Sequence, residues 1–202
     1  RRIKKSKNGL LSTVAYSYEG QAHYALEGSS YIAGAAVQWL RDNLTFFNSA
    51  PEIEKMAMES KNKDISDLYF YPYFSGIGTP YWRPEAKACL IGMTRGTTKE
   101  QISRACLEGI TLSIEDLFSS LKEDSDASFS EIKVDGGAVS NNLLCEMQSS
   151  FSNIKIIRPK VTETTAYGAG LAAAIGSKEI TFKSIYNLWK SERIFKSFND
   201  EY

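Results

Sequence analysis

An α/β fold is predicted for this 202-residue chain by two strand–glycine–helix units and by the strand and helix periodicities that surround them. The first unit is Glu131-Ile132-Lys133-Val134-Asp135-Gly136-Gly137-Ala138-Val139-Ser140-Asn141-Asn142. Ile132 and Val134 alternate like one face of a strand. The two glycines allow a tight turn and a close approach to the main chain, and Ser140, Asn141 and Asn142 are all helix-capping types. Leu144, Met147 and Phe151 then recur at helical spacing. The second unit joins a short buried strand at residues 88–93 to Thr94-Arg95-Gly96-Thr97-Thr98 and a long helix to about residue 121. Thr98 and Gln101 have capping-box spacing, and Leu107, Ile110, Ile114, Leu117 and Leu121 mark its buried face. Free N–H groups and the dipole at a helix start suit a phosphate. Two such turns converge on one ligand when their strands lie side by side in a parallel sheet. On the local pattern alone, an ordinary connector explains the first unit about as well.

Before these units, residues 10–17 and 21–26 read as strands joined at Glu19-Gly20. A helix is predicted from Ser29-Ser30, with Ile32, Ala36, Val37, Leu40, Leu44 and Phe47 facing the core, and a second helix at residues 51–60 with proline in its first turn. Lys61-Asn62-Lys63-Asp64 is a polar connector. The aromatic run at residues 67–74 suits a strand, with Pro72 placing it at an edge or a bulge. Residues 75–84 hold two glycines and two prolines and form a shaped loop. Its rings can stack on a ligand, but anchoring the loop to the body is the commoner use.

Residues 122–130 are an acidic, serine-rich loop, and residues 154–157 a short strand closed by Pro159. The helix predicted at residues 162–176, capped by Thr162 or Thr164, is nearly all small residues, which favours close backbone approach. Within it, Gly168-Ala169-Gly170-Leu171-Ala172-Ala173 fits a dinucleotide pattern but lacks the preceding strand and the following acid that the fingerprint requires. Phe182, Ile185 and Trp189 suggest a last helix, and residues 191–202 a polar and aromatic tail.

Composition removes several function classes. Lys+Arg and Asp+Glu balance at 24 each, so no net field draws the chain to nucleic acid or anionic lipid. Cys89, Cys106 and Cys145 are odd in number and far apart, which fits a reducing cytoplasm and neither a disulfide framework nor a zinc site. His23 is the only histidine and lies in an alternating strand, where a structural role is expected. No apolar run nears the ~20 residues of a bilayer span, and no signal peptide opens the chain.

Six segments in order carry a resemblance. They are Tyr24-Ala25-Leu26-Glu27-Gly28, Gln38-Trp39-Leu40-Arg41-Asp42, Phe74-Ser75-Gly76-Ile77-Gly78-Thr79-Pro80-Tyr81-Trp82, Gly92-Met93-Thr94-Arg95-Gly96, Val134–Asn142 of the first unit, and Thr164-Thr165-Ala166-Tyr167-Gly168-Ala169-Gly170. Together they resemble the C-terminal half of the glycerol kinases, among the carbohydrate kinases of the actin-like ATPase superfamily. The resemblance implies a ribonuclease H-like lobe, a mixed sheet flanked by helices. Residues 1–202 would be the C-terminal nucleotide-binding lobe of a two-lobe kinase, with the N-terminal lobe and this lobe's first strand outside the chain.

The substrates implied are ATP and glycerol, with Mg2+ held largely by the nucleotide and the other lobe. Gly96, Glu100, Gly136, Gly137 and Asn141 would contact the nucleotide, and no catalytic or metal-binding residue is assigned. Glu100 departs from the amide the family often carries there, and Arg83 from an acidic residue. The small-residue helix would pack at the hinge of domain closure. A cytoplasmic parent, with a homo-oligomer allowed, completes the expectation. Two alternatives stay open: a sister kinase for another polyol or ketose, and a non-catalytic nucleotide-binding or regulatory module.

Overall fold

In the computed structural model, residues 5–60, 67–125 and 128–197 are described, and the polar connector at residues 61–64 lies outside them. The chain divides into two compact units, Arg1–Phe129 and Ser130–Tyr202.

The first unit opens with the expected hairpin, β1 (Leu11–Tyr18) and β2 (Gln21–Glu27), antiparallel with Tyr18 opposite Gln21. Glu19 and Gly20, at φ 49° and 75°, form the two-residue loop, whose positive angles match the right-handed twist of the strands. His23 stacks on Tyr16 with ring centroids 4.4 Å apart, the structural role expected of it. Helix α1 is Gly34–Asp42 and starts later than Ser29-Ser30, because Ser29 is committed elsewhere. Its N–H donates to Thr79 Oγ1 at 2.9 Å and its carbonyl accepts the Thr79 amide at 2.8 Å. Ala36, Val37, Leu40 and Phe47 are buried as predicted, whereas Leu44 lies past the helix end and is exposed. Helix α2 (Glu52–Glu59) follows Pro51 and packs on α3 (Lys99–Ser125), where Ser103 Oγ donates to Met56 Sδ at 3.2 Å.

The aromatic run yields only β3 (Tyr69–Tyr71), stopped by Pro72 and paired antiparallel with β4 (Cys89–Ile91). β4 is not the buried strand predicted: Cys89 and Ile91 are exposed, since this sheet has two strands. The loop between them is anchored to the body. Trp82 Nε1 donates to Gly9 O at 2.7 Å, Trp39 packs 4.8 Å from Phe74, and Thr79–Pro80 is cis. Helix α3 runs on to Ser125, through half of the predicted acidic loop. Asp124 is buried there and accepts from Ser6 Oγ, from the Lys7 and Asn8 amides at 3.0 and 3.2 Å, and from Asn8 Nδ2 at 3.1 Å.

The second unit is built on a mixed three-stranded sheet, β5 (Glu131–Lys133), β6 (Lys155–Pro159) and β7 (Ser191–Phe195). β5 is parallel to β6 and β7 antiparallel to it. β7 occupies what reads in the sequence as a tail; it is a strand because Phe195 buries its ring with Cys145 and Ile156, under Ile132, Val134 and Val139. Helix α4 (Asn142–Ser152) presents Leu143, Leu144 and Met147 inward and ends at Asn153 in the left-handed region, φ 52°. Helix α5 (Thr164–Gly176) has no buried residue, and nothing lies within 4 Å of the Cβ positions of Gly168, Gly170 or Gly176. Neither Thr162 nor Thr164 caps it: Glu163 holds the N-cap position with no side-chain bond. The last helical segment is a 3-10 turn at Phe182–Ser184 and the short α6 (Ile185–Leu188).

Candidate nucleotide-binding turns

β5 continues past Lys133 through one more ladder bond, the Val134 amide donating to Ile157 O at 3.1 Å. The chain then turns at Gly136, φ 83° and ψ 171°, a conformation that only glycine adopts without strain. The Gly136 amide donates to Thr162 O at 2.8 Å, and Thr164 Oγ1 donates to Asp135 Oδ2. Two bonds therefore tie the turn to the start of α5.

Gly137–Ser140 forms a 3-10 turn, closed by Ser140 Oγ donating to Gly137 O at 2.7 Å. Asn141 follows in extended conformation and is the N-cap of α4, its Oδ1 accepting the Leu144 amide at 2.9 Å. The side-chain oxygen is thus committed to the helix, and any contact with a ligand falls to the amide NH2, a donor. A Cβ at Gly136 or Gly137 would meet nothing within 4 Å, so both backbones face open space.

Gly136 and the α4 start are separate features, since the 3-10 turn of Gly137–Ser140 stands between them. The phosphate seat expected at this helix start is therefore reduced: Asn141 already occupies one of its free donors. What remains open is the bare main chain of Gly136 and Gly137.

Sequence reading missed the support beneath this turn. Arg158, buried on β6, donates from Nη1 to Val139 O at 2.8 Å and Ser140 O at 3.3 Å, and from Nε to Glu192 Oε2 at 2.6 Å. The Arg158 hydrogen bond holds the Glu192 carboxyl below the usual carboxylate range. An arginine inside the apolar run Ile156-Ile157-Arg158-Pro159 is the one signal that pointed to it.

In the first unit, the Thr97 amide donates to Thr94 O at 3.1 Å and the Thr94 amide to Thr97 Oγ1 at 2.8 Å, closing a tight turn. Gly96 is exposed at its tip, with only Thr94 Oγ1, at 3.7 Å, near its Cβ position, and Arg95 is exposed beside it. The predicted capping box is present: the Thr98 amide donates to Gln101 Oε1 at 2.9 Å and the Gln101 amide to Thr98 Oγ1 at 3.4 Å. Glu100 is half-buried in the first turn of α3 and takes no part in that box. Arg83 pairs with Glu85 at 3.2 Å on the surface. β4 and β5 belong to different sheets, so the two glycine turns do not follow neighbouring parallel strands as the sequence suggested. The dinucleotide-like glycines lie inside α5 and not at a strand–helix corner.

The chain is similar to known proteins along most of its length. Residues 2–177 match the FGGY family of carbohydrate kinases, C-terminal domain. The glycerol kinase of Desulforamulus reducens is 44% identical over 197 residues, which are 96% of this chain and 39% of that protein. Glycerol kinase 2 of Thermotoga maritima is 44% identical over 202 residues, 98% of this chain and 40% of its own. Among solved structures, Plasmodium falciparum glycerol kinase with ADP superposes with a TM-score of 0.83 at 30% identity, covering 97% of this chain and 39% of that one. The ligand-bound xylulose kinase of Lactobacillus acidophilus shares the fold, with a TM-score of 0.76 at 19% identity. The chain spans about two fifths of the length of these relatives. The sequence expectation of an actin-like ATPase lobe is met, and the chain belongs to the FGGY family of carbohydrate kinases, whose C-terminal domain it matches.

Proposed function

We infer that this chain supplies the adenine-nucleotide site of an ATP-dependent glycerol kinase. The whole protein would move the γ-phosphoryl group of ATP to a glycerol hydroxyl, giving ADP and glycerol 3-phosphate. The observation that carries the reading is the open backbone of Gly136 and Gly137, with no atom within 4 Å of either Cβ position, beside an Asn141 locked by its cap. A bare main chain accepts the flat face of a base or ribose where any side chain would stand in the way. The Asn141 NH2 adds one directional donor, and Gly96 with Glu100 offers a second candidate contact in the first unit.

Transfer of a phosphoryl group rests on positioning and on stabilising charge. In this reading the chain's own residues bind and orient the nucleotide. The base that takes the hydroxyl proton and the glycerol contacts belong to the other lobe. Mg2+ would neutralise charge on the transferring phosphates. In this reading the ion is held largely by the nucleotide and the other lobe.

Among the described residues no helix is long and apolar enough to cross a membrane.

The test has two parts. The isolated chain, titrated with ADP, should show saturable binding that moves the amide signals of residues 136–141. The same chain with glycerol and Mg-ATP should release no glycerol phosphate. Turnover by the chain alone, or ADP that leaves those amides untouched, overturns the reading. A panel of polyols and ketoses given to the intact parent decides the substrate.

A further inference from the structure

Resting on the nucleotide reading of the 136–141 turn, we propose that Arg158 and Glu192 are positioning residues for that site. In this arrangement β7 delivers a carboxylate that aims a buried guanidinium at the last carbonyls of the 3-10 turn. The guanidinium thereby fixes the shape of bare backbone that the ligand meets.

The geometry is specific. Arg158 uses two edges of its planar fork: Nε meets Glu192 Oε2 at 2.6 Å, and Nη1 spans Val139 O at 2.8 Å and Ser140 O at 3.3 Å. Val139 O also receives Cys145 Sγ at 3.4 Å, so the turn is fastened to α4 as well. The guanidinium carbon lies 5.2 Å from the Phe195 ring centroid, which holds the plane of the group against β7. Val139 and Ser140 are the closing residues of the turn that runs from Gly137 to Asn141. A displacement of these two carbonyls moves both halves of the candidate site.

A purely structural need at this position is met more cheaply by an apolar side chain. Burying a guanidinium is costly unless it is fully paired, and apolar replacements of buried ion pairs are often neutral or stabilising. The neighbours Ile156 and Ile157 show that the strand accepts aliphatic residues. The arginine brings what they cannot: donors for the carbonyls of Val139 and Ser140. Its own orientation depends on a carboxylate 34 residues away, at residue 192, beyond the 2–177 segment matched to the family. β7 thus acquires a task beyond closing the sheet.

The test uses the whole 202-residue chain and ADP as the probe. Glu192→Gln keeps the side-chain shape at a position that is 47% exposed, so the fold should survive. Arg158→Lys keeps the charge and loses the fork. Both should lower ADP affinity about tenfold, because the turn loses its fixed shape, while the urea midpoint of the Glu192 variant falls only slightly, since Gln keeps a neutral acceptor for Arg158 Nε. Without nucleotide, amide exchange at residues 138–142 should quicken in both variants and stay unchanged in β1 and β2. The double variant should lose little more than either single one, because both act through one contact. Unchanged affinity or exchange in Glu192→Gln overturns the proposal, as does a loss of affinity matched by a general loss of stability. Wild-type chain that leaves ADP unbound overturns the nucleotide reading and this proposal together, and is told apart because it shows before any substitution.

Discussion

Gly109 of α3 and Phe70 of β3 lie so close that a Cβ on the glycine would stand 2.0 Å from the Phe70 carbonyl oxygen. Two effects compete in Gly109→Ala. Helix propensity favours alanine by up to about 1 kcal/mol, whereas forcing apart a packed backbone costs about 1–3 kcal/mol or more. The clash is with main chain, which cannot swing aside, so it wins. Gly109→Ala should lower the urea midpoint of the first unit by an amount equal to about 2 kcal/mol, read by circular dichroism.

Gly137→Ala should do the opposite. Its Cβ position is open and its φ is not positive, so alanine fits and the unfolded chain loses freedom, a gain of about 0.4–1 kcal/mol. If the site holds a nucleotide there, the same methyl group occupies ligand space, and ADP affinity should fall at least about tenfold. A variant that is more stable and still binds ADP as wild type does would remove Gly137 from the site.

Asn141 has two atoms with two duties. Asn141→Asp keeps a cap oxygen and should hold stability, because aspartate caps as well as asparagine. It lacks the NH2 donor and should bind ADP more weakly. Asn141→Ala loses both, and about 1 kcal/mol of stability with the cap. Thermal melts and ADP titrations of the two variants separate the cap from the contact.

These glycine and capping features were legible because each is a local demand. A φ of 83° needs glycine at Gly136 whatever packs around it, and a helix start needs an Asn141-like acceptor within three residues. What stayed hidden depends on partners distant in the chain. Asp124 reads as loop composition until the amides of Lys7 and Asn8 are seen on its carboxylate, 117 and 116 residues away. Ser191–Phe195 reads as a tail because one buried ring, Phe195, makes no pattern, and only the pairing with β6 makes it a strand. Ser29 has the composition of a helix start, but its backbone is bound to Thr79. The parallel pairing under which two glycine turns converge also depends on distant partners: β4 takes β3 as its neighbour, so among the described residues β4 and β5 lie in separate sheets.

Asp124 predicts a pH dependence. The Ser6 hydroxyl first, and then the Lys7 and Asn8 donors, hold its carboxyl below the ordinary value. A group with a depressed folded-state pKa contributes stability above its unfolded pKa of about 3.9 and loses it as pH falls through the folded value. Urea midpoints should therefore drop as pH falls below about 4, and more steeply in wild type than in Asp124→Asn, which has no charge to lose. Equal slopes would mean the carboxylate form has no preference for its amide nest.

Thiol chemistry reports on the core of the second unit. Cys89 is exposed, whereas Cys106 and Cys145 are buried, and burial pushes the Cys106 thiol far above its usual range. A thiol reagent should therefore label Cys89 quickly and the other two only on unfolding, since the thiolate is the reactive form. Phe195 packs directly with Cys145 and Ile156. Phe195→Ala should cost about 3–5 kcal/mol and leave a gap beside Cys145. The variant should then show a second fast thiol, with Cys106 still protected in the first unit. Fast labelling of Cys106 in the same variant would mean that the two units do not open independently, and mass spectrometry of the labelled peptides tells the two cysteines apart.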